Sequence, residues 1–479
     1  MVNLWSTHVE QYGLKWVKEP FDTVPTWTVE PRIDIIKELA LPHLPVADYK
    51  VEYFASGSFN KLYLISSDFA TGADTPNGRE EYLMRVALPV HPYFKTASEV
   101  ATLSYLANHT SIPVPHVLAH NSCASDGALG FEWILMTRLR GVPLESLWSS
   151  PSLSWSDRLK LTNTLAGYID QMRMIRSPFL GNLYFSHDAD DVKAMLATRG
   201  KTRDTPFEIL EETPKYSVGP ICAIPFFYDN RIHLASDLGP WRSAHAWITA
   251  QIRLLAACAN ATIEGFTEDV SFDEDDMEEC RGRVASAEAL LSLLANTNRF
   301  NLSSTPSPSD QETFVLYHGD LSTNNILVDP ITHKITGIVD WECVSFVPLW
   351  KANIVPKLVD GPDIDSIAYQ FAFGPGEVPH IPPPPDENDD DSMRIEFRNR
   401  LEQYRLRDPF VRTLSVSLCP EGCEQIWGRG ERVLERQVEL LDIDGLWKRV
   451  GKWVVRIQAG EPLVPEHSVG DFLYIWPEM

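Results

Sequence analysis

Residues 314–350 read FVLYHGDLSTNNILVDPITHKITGIVDWECVSFVPLW. Three short apolar runs in this stretch predict buried strands, with a polar loop after the first and an Asp-Pro turn after the second. The runs are Phe314–Tyr317, Ile326–Val328 and Ile335–Val339. The pattern therefore predicts strand, loop, strand, turn and strand, with polar side chains where the strands begin and end.

Three side chains with oxygen atoms lie at those points, in the order Asp320, Asn325 and Asp340. This order fits phosphoryl transfer. The first carboxylate orients a hydroxyl nucleophile and accepts its proton, while the Asn and the second Asp hold magnesium on nucleotide phosphates. Two protein ligands suffice, because magnesium keeps several waters and phosphate oxygens. A polar hairpin with two turn aspartates is the simpler alternative, but residue type, order and strand context favour the catalytic interpretation.

The pattern His-Gly-Asp-Leu-x-x-x-Asn from His318, followed by a strand that ends in Asp340-Trp341-Glu342, resembles the catalytic core of a known family. That family is the aminoglycoside phosphotransferase and choline kinase-like family, and the chain has features of its fungal branch. The resemblance covers about residues 51–141 and 313–348. It implies an α+β, two-lobed protein kinase-like fold, with a small β-rich N-lobe and a larger, mainly helical C-lobe. It also implies ATP, with GTP as the alternative, and Mg²⁺.

The same resemblance divides the chain into three parts. Residues 1–48 are expected to be an N-terminal extension that packs on the N-lobe, and residues 49–138 the nucleotide-binding N-lobe. Residues 139–479 would be the C-lobe, with the catalytic loop at 316–343 and an insertion at about 178–312 that shapes the acceptor site. Within the insertion, Ile221–Tyr228 is strand-like.

An alternating pattern from Val51 predicts two strands around a small-residue turn. The turn contains Gly57, Ser58, Phe59 and Asn60. Glycine lets the backbone approach a phosphate closely, and successive amides in such a turn can bind an anion. A hairpin with one glycine is common, so its assignment to ATP binding depends on the resemblance to the family's nucleotide loop.

Strand Glu81–Val86 carries Arg85 where the family usually has a lysine that grips the α and β phosphates. Arginine is always charged and binds phosphate as a fork, so the resemblance implies a phosphate-binding role with altered geometry. A solvent-facing arginine on an edge strand is the alternative. Helix Lys95–Asn108 places Glu99 on an apolar face, where a carboxylate needs a partner. We expect Arg85 to be that partner, with Lys95 at i−4 as the alternative.

Three further assignments follow from the resemblance. Strand Phe131–Met136 would end in the hinge whose backbone reads adenine, at Thr137 to Leu139, with Met136 lining the pocket. His318 would support the catalytic loop through hydrogen bonds, or be a neutral core histidine. Glu342 would be an auxiliary metal ligand, a partner of Lys or Arg, or a surface residue.

Composition restricts the partners and the compartment. The 42 basic and 66 acidic residues give a net charge of −24, which disfavours nucleic acid and favours cationic small molecules, although solubility also explains it. The seven cysteines form no zinc pattern and indicate reduced thiols. The N-terminus resembles neither a signal nor a transit peptide, and no uncharged run approaches the ~20 residues of a membrane span. We expect a cytoplasmic protein without a membrane span; the sequence leaves its oligomeric state open.

The leading hypothesis is therefore an ATP- and magnesium-dependent kinase that acts on a hydroxyl group of a small molecule. Aminoglycosides, choline and other metabolites are the acceptor classes that the resemblance implies. A protein kinase is disfavoured, because Asp-Phe-Gly and Ala-Pro-Glu patterns are absent from the sequence. A nucleotide-binding pseudokinase is the third hypothesis, and its support is Arg85 in place of lysine.

Overall fold

A computed structural model describes most of the chain. It describes residues 12–19, 23–45, 48–67, 81–148, 150, 152–198, 208–210, 213–234, 237–265, 274–296, 312–352, 358, 429–442 and 445–461. The strands are Leu14–Lys18 (β1), Thr23–Trp27 (β2), Lys50–Ser56 (β3), Asn60–Ser66 (β4), Glu81–Ala87 (β5), Val117–Asn121 (β6), Glu132–Thr137 (β7), Val142–Pro143 (β8), Arg176–Ser177 (β9), Gly181–Phe185 (β10), Glu208–Ile209 (β11), Tyr216–Gly219 (β12), Phe314–Tyr317 (β13), Ile326–Val328 (β14), Ile335–Ile338 (β15) and Ser345–Pro348 (β16).

After β7, helices account for most of the regular structure in the described part of the chain. The α-helices are Ile33–Ala40 (α1), Phe94–His109 (α2), Glu145–Trp148 (α3), Trp155–Met174 (α4), Ala189–Thr198 (α5), Ile224–Phe227 (α6), Ala244–Gly265 (α7), Glu274–Asn296 (α8), Leu349–Ala352 (α9), Arg429–Leu441 (α10) and Trp447–Gln458 (α11). Short 3₁₀ turns lie at Leu41–His43, Ala124–Asp126, Ser186–Asp188 and Tyr228–His233.

The N-terminal half is built on a five-stranded antiparallel sheet in the order β3-β4-β5-β7-β6. Strand β5 is therefore central, and its Arg85 lies between Leu62 of β4 and Ile134 of β7. Helix α2 covers this part of the sheet, and its Val100 belongs to one apolar cluster with Ile134 and Met136. The central position of β5 excludes the edge-strand alternative for Arg85.

The N-terminal extension contacts the sheet and also the C-terminal half. Strands β1 and β2 form a hairpin whose Trp27 ring lies 5.2 Å from that of Phe131. On the other side, the backbone N–H of Thr23 donates to the hydroxyl of Tyr228 at 2.8 Å, and the Trp16 ring packs edge-on against Tyr228. The hairpin therefore connects the two halves.

Helix α4 lies in the C-terminal half and is capped by Ser154. The Oγ of Ser154 accepts from the Asp157 N–H at 3.2 Å. Behind α4 lies a six-stranded sheet in the order β11-β12-β10-β16-β13-β9, which the sequence did not predict. Strand-like Ile221–Tyr228 is not part of it, because Ile224–Phe227 is helical, with Pro225 near the helix start. That expectation was wrong; proline early in a helix is favourable, and its fixed φ fits the first turn.

The six-stranded sheet positions the catalytic segment. Strand β13 begins the stretch 314–350, and β16 lies near its end. The two strands pair antiparallel, from Phe314 opposite Pro348 to Tyr317 opposite Ser345. Between them, β14 and β15 form a hairpin that also pairs with β8. Both ends of the stretch 314–350 are thus held in one sheet. The molecule has the α+β fold that the resemblance implies, with a sheet-based N-terminal half and a larger, mainly helical C-terminal half.

Two other expectations can be compared with the structure. Within the described part of the chain, no helix has the length and apolar character needed to cross a membrane. The five cysteines that the structure describes, Cys123, Cys222, Cys258, Cys280 and Cys343, are free thiols; Cys419 and Cys423 lie outside the described residues.

Candidate active site

The loop between β13 and β14 lies within the predicted catalytic loop, 316–343, and brings Asp320 and Asn325 together. Asp320 is exposed to solvent. The side-chain Nδ2 of Asn325 donates to the carboxylate Oδ2 of Asp320 at 2.8 Å and to its backbone oxygen at 2.9 Å. These two bonds hold the Asp320 carboxylate at the surface of the loop in a fixed orientation.

His318 lies buried beneath this loop and supports it with both ring nitrogens. Its Nδ1 accepts from the N–H of Asp320 at 3.2 Å, and its Nε2 lies 3.2 Å from the carbonyl oxygen of Val339, to which it donates. The ring packs edge-on against Trp341, with centroids 4.7 Å apart. Burial lowers the pKa of His318 to about 4, so the imidazole is neutral at pH 7. His318 therefore joins the Asp320 loop to the strand that leads to Asp340.

Asp340 follows β15 and faces the same region. The N–H of Val339 donates to the carbonyl oxygen of Asn325 at 3.0 Å, which places Asp340 next to the start of β14. Asp340 has φ +65°, a left-handed conformation that costs a non-glycine residue ~1–3 kcal/mol and is concentrated at functional sites. Burial raises the pKa of Asp340, and the nearby Arg85 guanidinium opposes this effect.

Arg85 is the centre of a buried charge cluster, and its side chain is only 6% exposed. Its Nη1 contacts Oε1 of Glu99, while its Nη2 lies 2.5 Å from Oε2 of Glu342 and 3.4 Å from Oδ1 of Asp340. The predicted pairing of Arg85 with Glu99 is confirmed. Burial raises the pKa of Glu99 to about 7, and the contact with Arg85 limits the increase.

Glu342 is a partner of both Arg and Lys, one of the three roles left open by the sequence. Its Oε2 accepts from Arg85, from Lys95 Nζ at 2.8 Å and from Asn60 Nδ2 at 3.0 Å. Although burial raises its pKa, the charges of Lys95 and Arg85 lower it to about 2, so Glu342 is ionised. Sequence reasoning considered Lys95 only as a partner of Glu99. Its position one turn before Glu99, on the same buried helix face, is the signal that could have identified it.

The glycine loop between β3 and β4 closes through a hydrogen bond from the Gly57 N–H to the carbonyl oxygen of Asn60 at 3.0 Å. Ser58 at its tip is exposed, and the Phe59 ring packs edge-on against Phe227 with centroids 5.4 Å apart. A Cβ atom added to Gly57 would meet no atom of the described residues within 4 Å. Packing in the fold therefore does not require glycine at this position.

The proposed hinge residues lie at the end of β7. Met136 is buried, two residues along β7 from Ile134, the neighbour of Arg85. The Thr137 N–H donates to the carbonyl oxygen of His116 at 2.9 Å, and the Arg138 N–H donates to that of Glu81 at 3.3 Å. Leu139 packs against Gly337 of β15. Two hinge amides are thus used within the fold, and the adenine-reading role of this segment stays a prediction.

Comparison with known proteins assigns the chain to a family. A model of the phosphotransferase enzyme family (APH) matches residues 67–350, more than half of the chain. The chain belongs to this family. Membership confirms the resemblance that the catalytic segment suggested and supports phosphotransferase activity on a small molecule.

Individual relatives of this phosphotransferase are distant. A subtelomeric hrmA-associated cluster protein of Aspergillus fumigatus is 26% identical over 384 residues, which cover 74% of this chain and 67% of that protein. An aminoglycoside 3'-phosphotransferase of Streptomyces ribosidificus is 55% identical over 31 residues, 6% of this chain and 12% of that protein. Among solved structures, the apoenzyme of macrolide 2'-phosphotransferase MphH from Brachybacterium faecium is 13% identical, with a TM-score of 0.37 and coverage of 89% of this chain and 94% of that chain.

Proposed function

We propose that this protein transfers the γ-phosphoryl group of ATP, in the presence of magnesium, to a hydroxyl group of a small molecule. The observation that carries the proposal is the arrangement of Asp320, Asn325 and Asp340. Asn325 holds the Asp320 carboxylate through its side chain, and its backbone oxygen holds Val339, the residue before Asp340. Three oxygen-bearing groups with the roles needed for phosphoryl transfer are therefore linked at one place.

Asp320 activates the acceptor in this mechanism. Its exposed carboxylate accepts the proton of the acceptor hydroxyl while that oxygen forms a bond to the γ-phosphorus and the bond to the β-phosphate oxygen breaks. ADP leaves with the electron pair of that bond. The neutral His318 does not take this proton; it positions the loop through the Asp320 N–H.

Asn325 and Asp340 are the residues that would hold magnesium, and their geometry fits that role. Among the described residues, both side-chain hydrogen bonds of Asn325 come from Nδ2, so the amide presents its Oδ1 on the opposite side. One carboxylate and one amide oxygen match the ligand preference of this ion. Magnesium, when bound there, neutralises phosphate charge. Within the described residues no cluster of three or more His, Cys, Asp or Glu side chains suits a metal ion, and the proposed site needs none.

The N-terminal half supplies the groups for the nucleotide. Gly57 to Asn60 would place backbone amides against the phosphates, with the open space at Gly57 allowing close approach. Arg85, held by Glu99, would contribute the cation that the family usually provides as lysine. The hinge at Thr137–Leu139, with Met136, would bind the adenine ring. GTP is the alternative nucleotide for the same residues.

We propose that the C-lobe comprises residues 139–479. Its insertion at about 178–312 would form the acceptor site. The net charge of −24 supports a cationic acceptor such as an aminoglycoside or choline. The name of the Streptomyces relative points to the first of these classes, over a short alignment.

A nucleotide-binding protein without transferase activity is the second candidate, because one observation favours it. Among the described residues, the Arg85 guanidinium contacts three protein carboxylates, those of Glu99, Glu342 and Asp340. A phosphate would have to compete with these groups for the arginine.

ATP turnover by the purified protein, measured with a library of hydroxylated acceptors, tests the proposal. Asp320→Asn should keep magnesium-dependent ATP binding and lose ~10²–10⁴-fold in turnover, the range of a positioned general base. Asp329→Asn is the matched control, because Asp329 lies in the neighbouring turn, where its Oδ1 accepts from Ile331 and Thr332, and Asn keeps that oxygen. Turnover near the parent rate in Asp320→Asn would contradict the assignment, and ATP binding without turnover on any acceptor would favour the second candidate.

A further inference from the structure

Lys95 is a buried cation to which the proposed mechanism gives no role. It lies in the first turn of α2 and is 2% exposed. Its Nζ donates to Oδ1 of Asn60 at 2.6 Å and contacts Oε2 of Glu342 at 2.8 Å. Burying a lysine is costly unless it is paired, so these two contacts must hold it in place. Lys95 therefore connects three separate segments, which are helix α2, the glycine loop and the segment that follows Asp340.

The side chain of Asn60 is held at both ends by charged groups. Its Oδ1 accepts from Lys95, and its Nδ2 donates to Glu342 at 3.0 Å. An amide with a cation at its oxygen and a carboxylate at its nitrogen has one orientation only, and charge-assisted hydrogen bonds of this kind are about twice as strong as neutral ones. Because the Asn60 carbonyl also accepts from Gly57, the position of Asn60 sets the turn of the glycine loop.

The contribution of Lys95 can be separated from that of Arg85. Arg85 also contacts Glu342, so this carboxylate keeps a cation when Lys95 is removed. Asn60 Oδ1, by contrast, loses the charged donor that contacts it. Removing Lys95 should therefore leave Glu342 paired with Arg85 and release the glycine loop.

We propose that Lys95 is a positioning residue that fixes the glycine loop for nucleotide binding by holding the Asn60 side chain. The proposal rests on the proposed function in one respect, that the loop binds the nucleotide phosphates. Lys95 acts through Asn60 and needs no contact with the substrate. The remaining anchors of the loop, Phe59 on Phe227 and Lys61 on Glu30, hold its flanks in every variant.

The test compares Lys95→Met, Lys95→Arg and the control Lys160→Met. Lys160 lies on α4 and pairs with Asp157, but its side chain is 74% exposed, so its loss removes a lysine–carboxylate contact without a buried amide partner. Hydrogen–deuterium exchange of the ligand-free protein measures the loop directly. Exchange at residues 57–61 should accelerate in Lys95→Met, change less in Lys95→Arg and match the parent in Lys160→Met.

Steady-state kinetics give the second measurement. In Lys95→Met, KM for ATP should rise ~10-fold or more, the equivalent of one lost charged hydrogen bond, while kcat changes little. Lys95→Arg should recover much of that loss, because its guanidinium can still donate to Asn60. An unchanged exchange rate of the loop in Lys95→Met would overturn the proposal. A fall in kcat by the same factor as the rise in KM would also overturn it. If the parent does not use ATP, the proposed function fails, and the exchange measurement alone decides whether Lys95 holds the loop.

Discussion

Gly57 is a glycine that packing in this fold does not require. An alanine methyl group would fit into open space among the described residues, so Gly57→Ala should leave the melting temperature close to that of the parent. If the space is where a phosphate approaches the backbone, the methyl group should weaken ATP binding by ~10-fold or more. Each hydrogen bond from a backbone amide to a charged group is worth ~1.5–3 kcal/mol. Titration calorimetry with ATP and magnesium measures this.

Gly167 provides the matched control for that prediction. It lies within α4, and its added Cβ also meets no described atom within 4 Å. Gly167→Ala should stabilise the helix by ~0.5–1 kcal/mol and leave ATP affinity unchanged. Equal ATP affinity in Gly57→Ala and in the parent would remove Gly57 from the nucleotide site.

His318 makes the stability of the protein depend on pH. Its pKa is about 4 in the fold and 6.5 as an unperturbed side chain, so the unfolded chain takes up its proton first as pH falls. The contribution of the neutral imidazole to the free energy of unfolding is therefore complete above about pH 6.5. It is lost progressively as pH falls from there through about 4. At ~1.4 kcal/mol per pKa unit it amounts to about 3 kcal/mol.

Urea unfolding between about pH 4 and 7 measures this contribution. The loss of free energy of unfolding over that interval should be smaller in His318→Gln, which cannot titrate but can still donate to Val339. The control His245→Gln removes an exposed imidazole from α7. Parallel pH curves for the parent and His318→Gln would show that His318 is not held in its neutral form.

At the scale of elements, strand β5 and helix α2 are joined by Arg85 and Glu99. Arg85→Met leaves the buried Glu99 without its cation, and breaking a buried pair from one side commonly costs ~3–5 kcal/mol. Glu99→Gln keeps a hydrogen-bond acceptor and should cost less. The double variant should be more stable than the sum of the two losses predicts, with an interaction energy of ~0.5–3 kcal/mol.

A second ion pair on the same strand serves as the control cycle. Arg138 and Glu81 also join β5 to the segment after β7, at 2.6 Å, but their side chains are 31% and 35% exposed. The cycle of Arg138→Met and Glu81→Gln should give no more than ~1 kcal/mol, because solvent screens the pair. Two results together would contradict the assigned role of Arg85. They are additive losses of stability in Arg85→Met and Glu99→Gln, and an unchanged KM for ATP in each of these variants.

Sequence periodicity was sufficient where an element is defined by its own residues. It predicted the strands around Gly57, the strand of Arg85, and helix α2 with Glu99 on its buried face. It failed where distant segments decide the structure. The six-stranded sheet joins strands that are far apart in sequence, such as β10 and β16, in which Asn182 pairs with Ser345, and short strands of two to five residues carry little pattern. Lys95 was missed for the same reason, because its partners Asn60 and Glu342 lie 35 and 247 residues away in the numbering.

At the scale of the whole molecule, the glycine loop is contacted from several directions. Lys61 pairs with Glu30 of the N-terminal extension at 2.5 Å. Phe59 packs on Phe227 of the insertion, and the next residue, Tyr228, holds the extension through Thr23. The glycine loop, the extension and the insertion therefore form one continuous set of contacts, and a change in the insertion should reach the loop.

Phe227 tests this connection from the insertion side. Phe227→Leu removes the edge-on contact with Phe59, and the loop should lose part of its support, so KM for ATP should rise by ~3-fold or more, the equivalent of the ~0.5–1.5 kcal/mol of an aromatic pair. The neighbouring Phe226 is the matched control. It is equally buried, but its ring packs against Trp241, with centroids 5.7 Å apart. Phe226→Leu should lower the melting temperature to a similar extent and leave KM for ATP at the parent value. If both variants raise KM equally, the effect comes from general loosening of the insertion, and Phe227 has no specific connection to the glycine loop.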